Sequence, residues 1–503
     1  MESLGYLLSG FQTALTWENL LYCFLGVTGG LLIGILPGLG ATAGTAMLLP
    51  LTFSLEPVSA IIMLAGIYYG AMYGGTITSV LINTPGESAS LITCLDGYPL
   101  TKQGRAGAAL GIAAIGSFIG GIVSIVGLIL IGPVLAREAL RFGPPEFFAI
   151  VSLGLVLLIG LMGKSLLKGL LGALFGLLLA FVGQDPTTGL IRFAFGESRL
   201  MSGFDFVTVA IGLFGLSELL LNIEQWRNAR KEVPPKVKGF LPKREEWKPS
   251  LKAIGRGSVL GFFIGLIPGT NSVIPTILSY SMEKRLSKTP HRFGKGALEG
   301  VAGPETANNS YCGGTLIPLF TLGIPTSPAI AVLLGAFIIH GVTPGPTLFQ
   351  NHPQVVWGVI ASMFIGNFLL LIMNLPLAGM WAKITLVPFN LLYPILLILM
   401  IVGTYTLNQS MFDVGVMLVF GVLGYLLRKA DFPLAPIILT FALGGILEKT
   451  LLQSLTLFRG DFLQFFTRPL SGTILSIVIL VLVVSIVASL RNKRIAAADD
   501  VEI

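Results

Sequence analysis

Four short segments interrupt otherwise apolar stretches, and each combines a helix-breaking residue with small residues. They are Pro37-Gly38, Asn83-Thr84-Pro85-Gly86, Gly269-Thr270-Asn271 after Pro268, and Pro325-Thr326-Ser327. Pro lacks a backbone donor and Gly tolerates a positive φ, so each segment is expected to end one helix and begin another. Amide groups at a helix N-terminus carry about half a positive charge and bind carboxylate or phosphate. We therefore predict that these residues bind an anionic substrate.

Glu305, Asn308 and Asn309 form a second polar group within an apolar stretch. Their oxygen atoms suit a transported cation, which is sodium if all three bind it or a proton if Glu305 acts alone. One alternative is that Glu305 lies at the membrane interface and caps a helix that begins after it. For Asn83 and Asn308, the alternative is an interhelical hydrogen bond that only holds helices together.

The composition indicates that these segments belong to a membrane protein. Of the 503 residues, 53% are hydrophobic and 11% are charged, and the mean hydropathy is +0.85, whereas a soluble chain has about 25% charged residues. The apolar runs have the length of membrane helices, about 20 residues, rather than that of barrel strands. We expect an all-α polytopic membrane protein with about 11 or 12 membrane segments.

The sequence does not favour an enzyme. The three histidines lie near predicted loops, and no Ser, Cys or carboxylate partners them at a catalytic spacing. The three cysteines stand singly in apolar surroundings, which indicates small buried side chains rather than a metal or redox site. We therefore expect no catalytic residue, no cofactor, and no metal beyond a transported sodium.

A basic segment, residues 223–253, divides the chain into two similar halves. Ten Lys or Arg lie between Arg227 and Arg256 inclusive; beside membrane spans, such a run indicates a cytoplasmic linker rather than a nucleic-acid site. Three landmarks of the first half recur in order in the second half at offsets of 231 to 240 positions: residues 34–38 at 265–269, 73–76 at 312–315 and 83–88 at 323–327. We predict a first membrane repeat of residues 1–222, a second of 254–490 and a cytoplasmic tail of 491–503.

Loop charge indicates how the halves are oriented. Each Pro-Gly segment forms either one interrupted crossing or a re-entrant hairpin that enters and leaves on the same side. Basic residues flank the second segment on both sides, at 223–253 and 284–295, whereas the flanks of the first contain no Lys or Arg. The positive-inside rule then predicts two re-entrant helical hairpins in inverted-topology repeats. The N-terminus is placed in the periplasm and the C-terminus in the cytoplasm, with 25 of the 32 Lys and Arg inside.

Two further patterns have structural interpretations. Gly66, Gly70 and Gly74 recur at four-residue steps, which predicts close helix packing. The charged residues between Asp96 and Arg105 are expected to form a loop surface.

Inverted repeats with broken helices are typical of secondary transporters, in which half-helix ends meet an anionic substrate near the middle of the membrane. We expect such a carrier to hold its anion with backbone amides, with no Lys or Arg embedded in the membrane. The alternatives are a stand-alone organic-anion or amino-acid symporter and, with less support from the broken helices, a passive channel. A membrane-embedded transferase or protease would need a group of polar residues at the membrane surface, and the sequence contains no such group.

Several long motifs, in order, resemble the large membrane subunit of the bacterial tripartite tricarboxylate transporter family. In the first half they are residues 34–40 (GILPGLG), 65–75 (AGIYYGAMYGG), 83–86 (NTPG) and 96–99 (DGYP), and in the second half 304–309 (PETANN) and 323–325 (GIP). The similarity covers nearly the whole chain. One departure is Thr326, where Gly commonly follows Ile-Pro in the family.

The resemblance implies a cation-driven importer in the bacterial inner membrane. It implies two partners, a small four-helix membrane subunit and a periplasmic solute-binding protein that delivers a carboxylate such as citrate. Members of the family differ in substrate and in the use of sodium or protons, so neither is assigned from the resemblance.

Overall fold

The computed structural model of the chain describes residues 2–36, 38–161, 165–185, 188–226, 237, 239–386 and 389–499. Helices dominate both halves. The first half contains α1 (Glu2–Ala14), α2 (Trp17–Ile35), α3 (Gly40–Leu48), α4 (Pro57–Ile82), α5 (Leu91–Lys102), α6 (Ala106–Ala139), α7 (Pro144–Leu161), α8 (Leu166–Ala180), α9 (Phe206–Ala210) and α10 (Ser217–Trp226). A π-helical segment, Ile211–Leu216, joins α9 to α10.

The second half contains twelve helices within the described residues. They are α11 (Arg244–Gly265), α12 (Val273–Leu286), α13 (Glu299–Leu322), α14 (Pro328–Ile339), α15 (Leu348–Asn351), α16 (Pro353–Asn374), α17 (Ala378–Ala382), α18 (Phe389–Asn408), α19 (Met411–Lys429), α20 (Leu434–Leu457), α21 (Gln464–Thr467) and α22 (Pro469–Asp499). Two short antiparallel strands, β1 (Gly183–Gln184) and β2 (Ile191–Arg192), pair in the loop before α9. Short 3₁₀ turns cover Leu49–Thr52, Ser198–Leu200, Pro290–Arg292 and Lys383–Leu386.

The helices have the dimensions of membrane spans. Within the described residues, nine are long and apolar enough to cross a membrane, and three shorter apolar helices accompany them, at Pro144–Gly160, Leu166–Ala180 and Pro328–Ile339. A hydrocarbon core of about 30 Å requires about 20 residues per spanning helix. The prediction of an all-α polytopic membrane protein is confirmed.

Two helices, α4 and α13, form the centre of the fold. The span of α4 is buried over its whole length, and nearly every residue of α13 is buried as well. Glycines on α2 and α11 let these helices approach the central pair closely: a Cβ at Gly30 or Gly34 would collide with the backbone of α4, and a Cβ at Gly261 or Gly265 with that of α13. The glycines of α11 stand 231 positions after those of α2, so the repeated sequence serves the same packing in both halves.

The glycines at four-residue steps on α4 serve this packing. A Cβ at Gly66, Gly70 or Gly74 would lie within 3.0 Å of the α2 backbone. The predicted close helix packing is confirmed.

Both α2 and α11 end at a Pro-Gly break, after which the chain folds back as α3 and α12. In the second half, Arg256 of α11 and Glu283 of α12 lie at nearly equal distances along the chain from Gly269, and Nε of Arg256 donates to Oε1 of Glu283 at 2.7 Å. In the first half, the side chain of Leu48 on α3 lies against Gly29 on α2. Contacts between residues on opposite sides of a break require antiparallel arms, so both segments are hairpins rather than interrupted straight helices.

Asp96 differs from the sequence-based expectation of a loop surface, because it is fully buried in α5. Its Oδ1 accepts hydrogen bonds of 2.7 to 2.9 Å from three backbone amides in the loop 294–297, and its Oδ2 accepts one of 2.9 Å from the hydroxyl of Tyr280. Hydrogen bonds to a charged group contribute about 1.5 to 3 kcal/mol each. Asp96 therefore ties the first half to the second hairpin.

Arg105 also has a specific partner across the linker. Its Nη2 donates to both carboxylate oxygens of Glu246 in α11, at 2.7 and 2.6 Å. Part of the predicted linker, residues 223–253, lies outside the described residues, since residues 227–236 and 238 are not described, and its last part, from Arg244, belongs to α11. The domain boundaries and the cytoplasmic placement of the tail stay predictions.

Candidate functional site

The four helix breaks converge on one cavity, which we call the central cavity. It has a volume of about 570 Å³, within the range of about 300 to 1,000 Å³ typical of small-molecule sites. Its wall contains Gly38, Leu39, Gly40, Ala41, Thr42, Ala43, Met72, Pro85, Gly86, Glu87, Ser88, Leu91, Phe214, Glu218, Asn271, Ser272, Val273, Tyr311, Ser327, Pro328, Ala329, Arg428 and Ala435. All four predicted segments contribute at least one residue.

Part of the cavity wall comes from the first turns of four short helices. Residues 40–43 of α3, Leu91 of α5, Val273 of α12 and residues 328–329 of α14 all lie in it. Among the described residues, no side chain caps the N-terminus of α3. Four helix N-termini at one space favour negative charge there through their backbone amides.

Two of these helices, α12 and α14, are capped by residues of the predicted site. Asn271 Oδ1 accepts hydrogen bonds from the amides of Val273 and Ile274 at 3.1 and 3.2 Å, and Ser327 Oγ accepts from the amide of Ile330 at 3.5 Å. Both caps also lie in the cavity wall. They can therefore fix the helix ends and face a ligand at the same time.

Five of the predicted substrate-binding residues line the central cavity: Gly38, Pro85, Gly86, Asn271 and Ser327. The left-handed backbone at Gly38 and Gly269 has the same φ of +84°, which explains why Gly follows Pro in both hairpins. Pro37 lies outside the described residues.

The remaining predicted residues lie outside the cavity wall and shape the breaks. Asn83 ends α4 with φ 54° and ψ 28°, and its counterpart Gly323 ends α13 with φ 69° and ψ 21°. The amide of Gly269 donates to the carbonyl of Thr326 at 3.1 Å, which joins the third break to the fourth. Thr84 and Pro325 lie in the second and fourth breaks. None of the residues named in this paragraph lies in the cavity wall.

Two threonines of the predicted site are buried. Thr270 Oγ1 donates to the carbonyl of Ile267 at 2.9 Å, so it closes the turn of its own hairpin. Thr326, the departure from the family pattern, is fully buried, and within the described part of the chain its Oγ1 has no hydrogen-bond partner. Its backbone, rather than its hydroxyl, makes the contact to Gly269.

The three predicted cation-binding residues share α13 but face different neighbours. Glu305 is 1% exposed; its Oε2 accepts a hydrogen bond of 2.6 Å from Thr76 and its Oε1 accepts one from Thr93. Because α13 begins at Glu299, the alternative that Glu305 caps a later helix is wrong. Asn309, one turn further along α13, donates from Nδ2 to Ser117 of α6 at 2.7 Å.

Asn308 connects this helix to the cavity wall. Its Nδ2 donates to Oε1 of Glu87 at 2.9 Å, and Glu87 lines the central cavity. Asn308 therefore joins α13 to the loop between α4 and α5 through a carboxylate, rather than to another helix as the alternative proposed.

Sequence reasoning missed three features of the site. Glu87 lies in the repeated segment 83–88, and the sequence analysis predicts no role for it. The signal is nevertheless the same as for Glu305, an acidic residue in an apolar segment. Arg428 and Glu218 form an ion pair in the cavity wall, a basic side chain at the cavity for which the sequence analysis predicted no role. The π-helical segment that contributes Phe214 carried no sequence signal; such segments are frequent at functional sites.

Comparisons with known proteins connect this site to one family. The sequence model of the Tripartite tricarboxylate transporter TctA family matches residues 20–439. An uncharacterized 52.8 kDa protein in the TAR-I ttuC' 3' region of Agrobacterium vitis is 45% identical over 494 residues, 98% of each chain. An uncharacterized protein in the TAR-II ttuC' 3' region of the same organism is 44% identical over 234 residues, 46% of this chain and 97% of that protein. No solved structure matches.

Proposed function

The chain belongs to the tripartite tricarboxylate transporter TctA family, and on this basis we propose that it imports a citrate-like carboxylate by symport with sodium or protons. The family consists of components of tripartite transporters rather than enzymes. The chain is therefore a multi-pass membrane component of a tricarboxylate transporter, and the substrate, the cation and the coupling are the content of the proposal.

One observation supports the proposal most strongly: four helix breaks, two from each half, meet at a single cavity. Helix N-termini bind carboxylates through backbone amides, and Asn271 and Ser327 add polar side chains at the wall. A tricarboxylate presents several carboxylates in different directions, which suits several helix ends arranged around one space.

The proposed cation-binding residues are Glu305, Asn308 and Asn309. Glu305 has no ion-pair partner among the described residues, and a buried carboxylate without one requires a cation or a proton for compensation. Glu305 lies on the buried central helix α13, one turn from Asn308, and Asn308 contacts Glu87 in the cavity wall. The proposed cation would therefore bind near the cavity.

Alternating access follows from the two hairpins. We propose that the halves have inverted topology, with the first hairpin entering from the periplasm and the second from the cytoplasm. Glu218 and Arg428 line the cavity, and Glu218 belongs to α10, the helix that precedes the linker. If the linker is cytoplasmic, the cavity in this conformation extends towards the cytoplasm.

The proposed partners are a periplasmic solute-binding protein and a small four-helix membrane subunit. The proposed location is the inner membrane of a bacterium, with a periplasmic N-terminus and a cytoplasmic C-terminus. In this arrangement, the binding protein delivers the carboxylate to the periplasmic opening, and the chain described here carries it across.

An uptake assay tests the function. The full chain is expressed with its two partners in cells, and uptake of radiolabelled citrate, tricarballylate, succinate and malate is measured with sodium and pH varied separately. We expect saturable uptake of at least one of these carboxylates that depends on a cation gradient and on the binding protein.

Two results would contradict the proposal. Uptake that is equal with and without the binding protein favours a stand-alone symporter. Absence of uptake of all four carboxylates, with the three proteins present in the membrane, removes the proposed substrate class.

A further inference from the structure

Glu87 places a negative charge in the wall of a cavity that is otherwise suited to anions. Its side chain is 7% exposed, and it follows the second helix break directly. No Lys or Arg of the described residues pairs with it, because Arg428, the basic residue in the same wall, is paired with Glu218. A buried, uncompensated carboxylate is costly unless a cation or proton accompanies it.

The neighbour of Glu87 offers a second oxygen for such a cation. Asn308 is 1% exposed, and its amide nitrogen donates to Glu87 Oε1 at 2.9 Å. Its Oδ1 is buried and has no hydrogen-bond partner among the residues that the structure describes. Carboxylate and amide oxygens are hard ligands that suit a hard cation, and the two side chains that carry them are in hydrogen-bond contact.

The charge of Glu87 also opposes an anionic substrate. Two like charges about 6 Å apart, at an effective dielectric constant of about 20, reduce affinity by roughly 100-fold. A substrate with two or three carboxylates cannot occupy the central cavity tightly while Glu87 is ionised and uncompensated. A cation at Glu87 removes this repulsion, so the two ligands favour each other's binding.

We propose that Glu87 and Asn308 Oδ1 form a monovalent-cation site whose occupancy by sodium or a proton is required before the carboxylate binds. This inference rests on the proposed function and adds to it the residue at which cation and substrate meet. Glu305 has a different place, since it does not line the cavity and both of its carboxylate oxygens accept hydroxyl hydrogen bonds.

Other titratable or charged groups surround the site and are included in the interpretation of any pH effect. They are Glu305, Tyr311 and Cys312 on α13, and Glu218 and Arg428 across the cavity. All of them are present in the variants described next, so their contribution is common to every comparison.

The proposal is tested by the cation dependence of ligand binding to the purified full chain. The melting temperature is measured with and without citrate, first in sodium against choline at constant pH and then at pH 6 against pH 8 in choline. Wild type is expected to be stabilised by citrate only with sodium or at the lower pH. Glu87→Gln is expected to be stabilised equally in all four conditions, and Glu18→Gln, at an exposed position on α2, is expected to behave as wild type.

Transport gives a second measurement. In proteoliposomes with an imposed potential of 100 mV, losing one coupled cation reduces the accumulation ratio of citrate by roughly 50-fold, whereas citrate exchange across the membrane continues. Glu87→Asp keeps the charge but shortens its reach to Asn308, so it is expected to retain the cation requirement at a sodium concentration at least about 10-fold higher. This second variant decides the matter if Glu87→Gln does not fold.

The possible results separate the inference from the proposed function. If citrate stabilises Glu87→Gln with the same sodium or pH dependence as wild type, the inference is overturned and the carboxylate site remains. If Glu87→Asp needs no more sodium than wild type, the site at Asn308 is overturned. If wild type is not stabilised by citrate, tricarballylate, succinate or malate under any of the four conditions, the proposed function fails and the inference fails with it.

Discussion

Gly86→Ala is expected to abolish carboxylate uptake and to reduce the amount of folded protein. A Cβ at Gly86 would collide with the carbonyl oxygen of Gly34 and would lie 2.7 Å from Cα of Gly75. Both are backbone atoms, so relief requires a helix to move. Overpacking of this kind costs about 1 to 3 kcal/mol or more, and the displacement separates the first break from the second in the cavity wall.

The measurement compares uptake and the melting temperature of purified Gly86→Ala with those of Gly255→Ala. Gly255 lies on α11, and a Cβ there meets nothing within 4 Å; we expect normal uptake and a gain of up to about 1 kcal/mol from helix propensity. Wild-type uptake and melting temperature in Gly86→Ala would show that the close approach of the two breaks is not needed.

Glu305→Gln is expected to abolish gradient-driven uptake while the protein still folds. The amide oxygen of Gln can still accept a hydrogen bond from Thr76 or Thr93, but the negative charge for a cation is gone. Glu305→Ala is expected to lose uptake as well, and also stability, since two buried hydroxyls lose their acceptor at a cost of about 1 to 3 kcal/mol each.

This pair of variants separates charge from structure. Uptake is measured in the presence of an imposed sodium or proton gradient, and folding is measured by melting temperature, with Glu18→Gln as the control. If Glu305→Gln transports as well as wild type, the carboxylate serves only to join α13 to α4 and α5, and the cation site does not include it.

The sequence was informative where the physical requirement is local. A Pro that cannot donate and a Gly that accepts φ of +84° define a break at Gly38 and Gly269 whatever surrounds them. These residues therefore predicted the breaks, and the charge of the flanking loops then favoured hairpins over interrupted crossings. The inverted orientation of the two halves depends on the membrane and stays a prediction.

The parts of the site that sequence reasoning missed depend on contacts between distant segments. Asp96 resembles a residue of a polar loop until the loop 294–297, about 200 positions later, covers it. The role proposed for Glu87 depends on its contact with Asn308, and the position of Arg428 in the cavity wall depends on its ion pair with Glu218. Local pattern alone cannot show which of several polar residues in apolar stretches will share one cavity.

The central claim is that a carboxylate binds where the four helix breaks meet. The most direct measurement is a cryo-electron microscopy structure of the full chain with its partners, prepared with a saturating amount of the carboxylate taken up best and with sodium at low pH. We predict ligand density in the central cavity, between Gly38, Gly86, Asn271 and Ser327. Density for the carboxylate elsewhere, such as the polar cleft between Arg199 and Asp413, with an empty central cavity, would contradict the account.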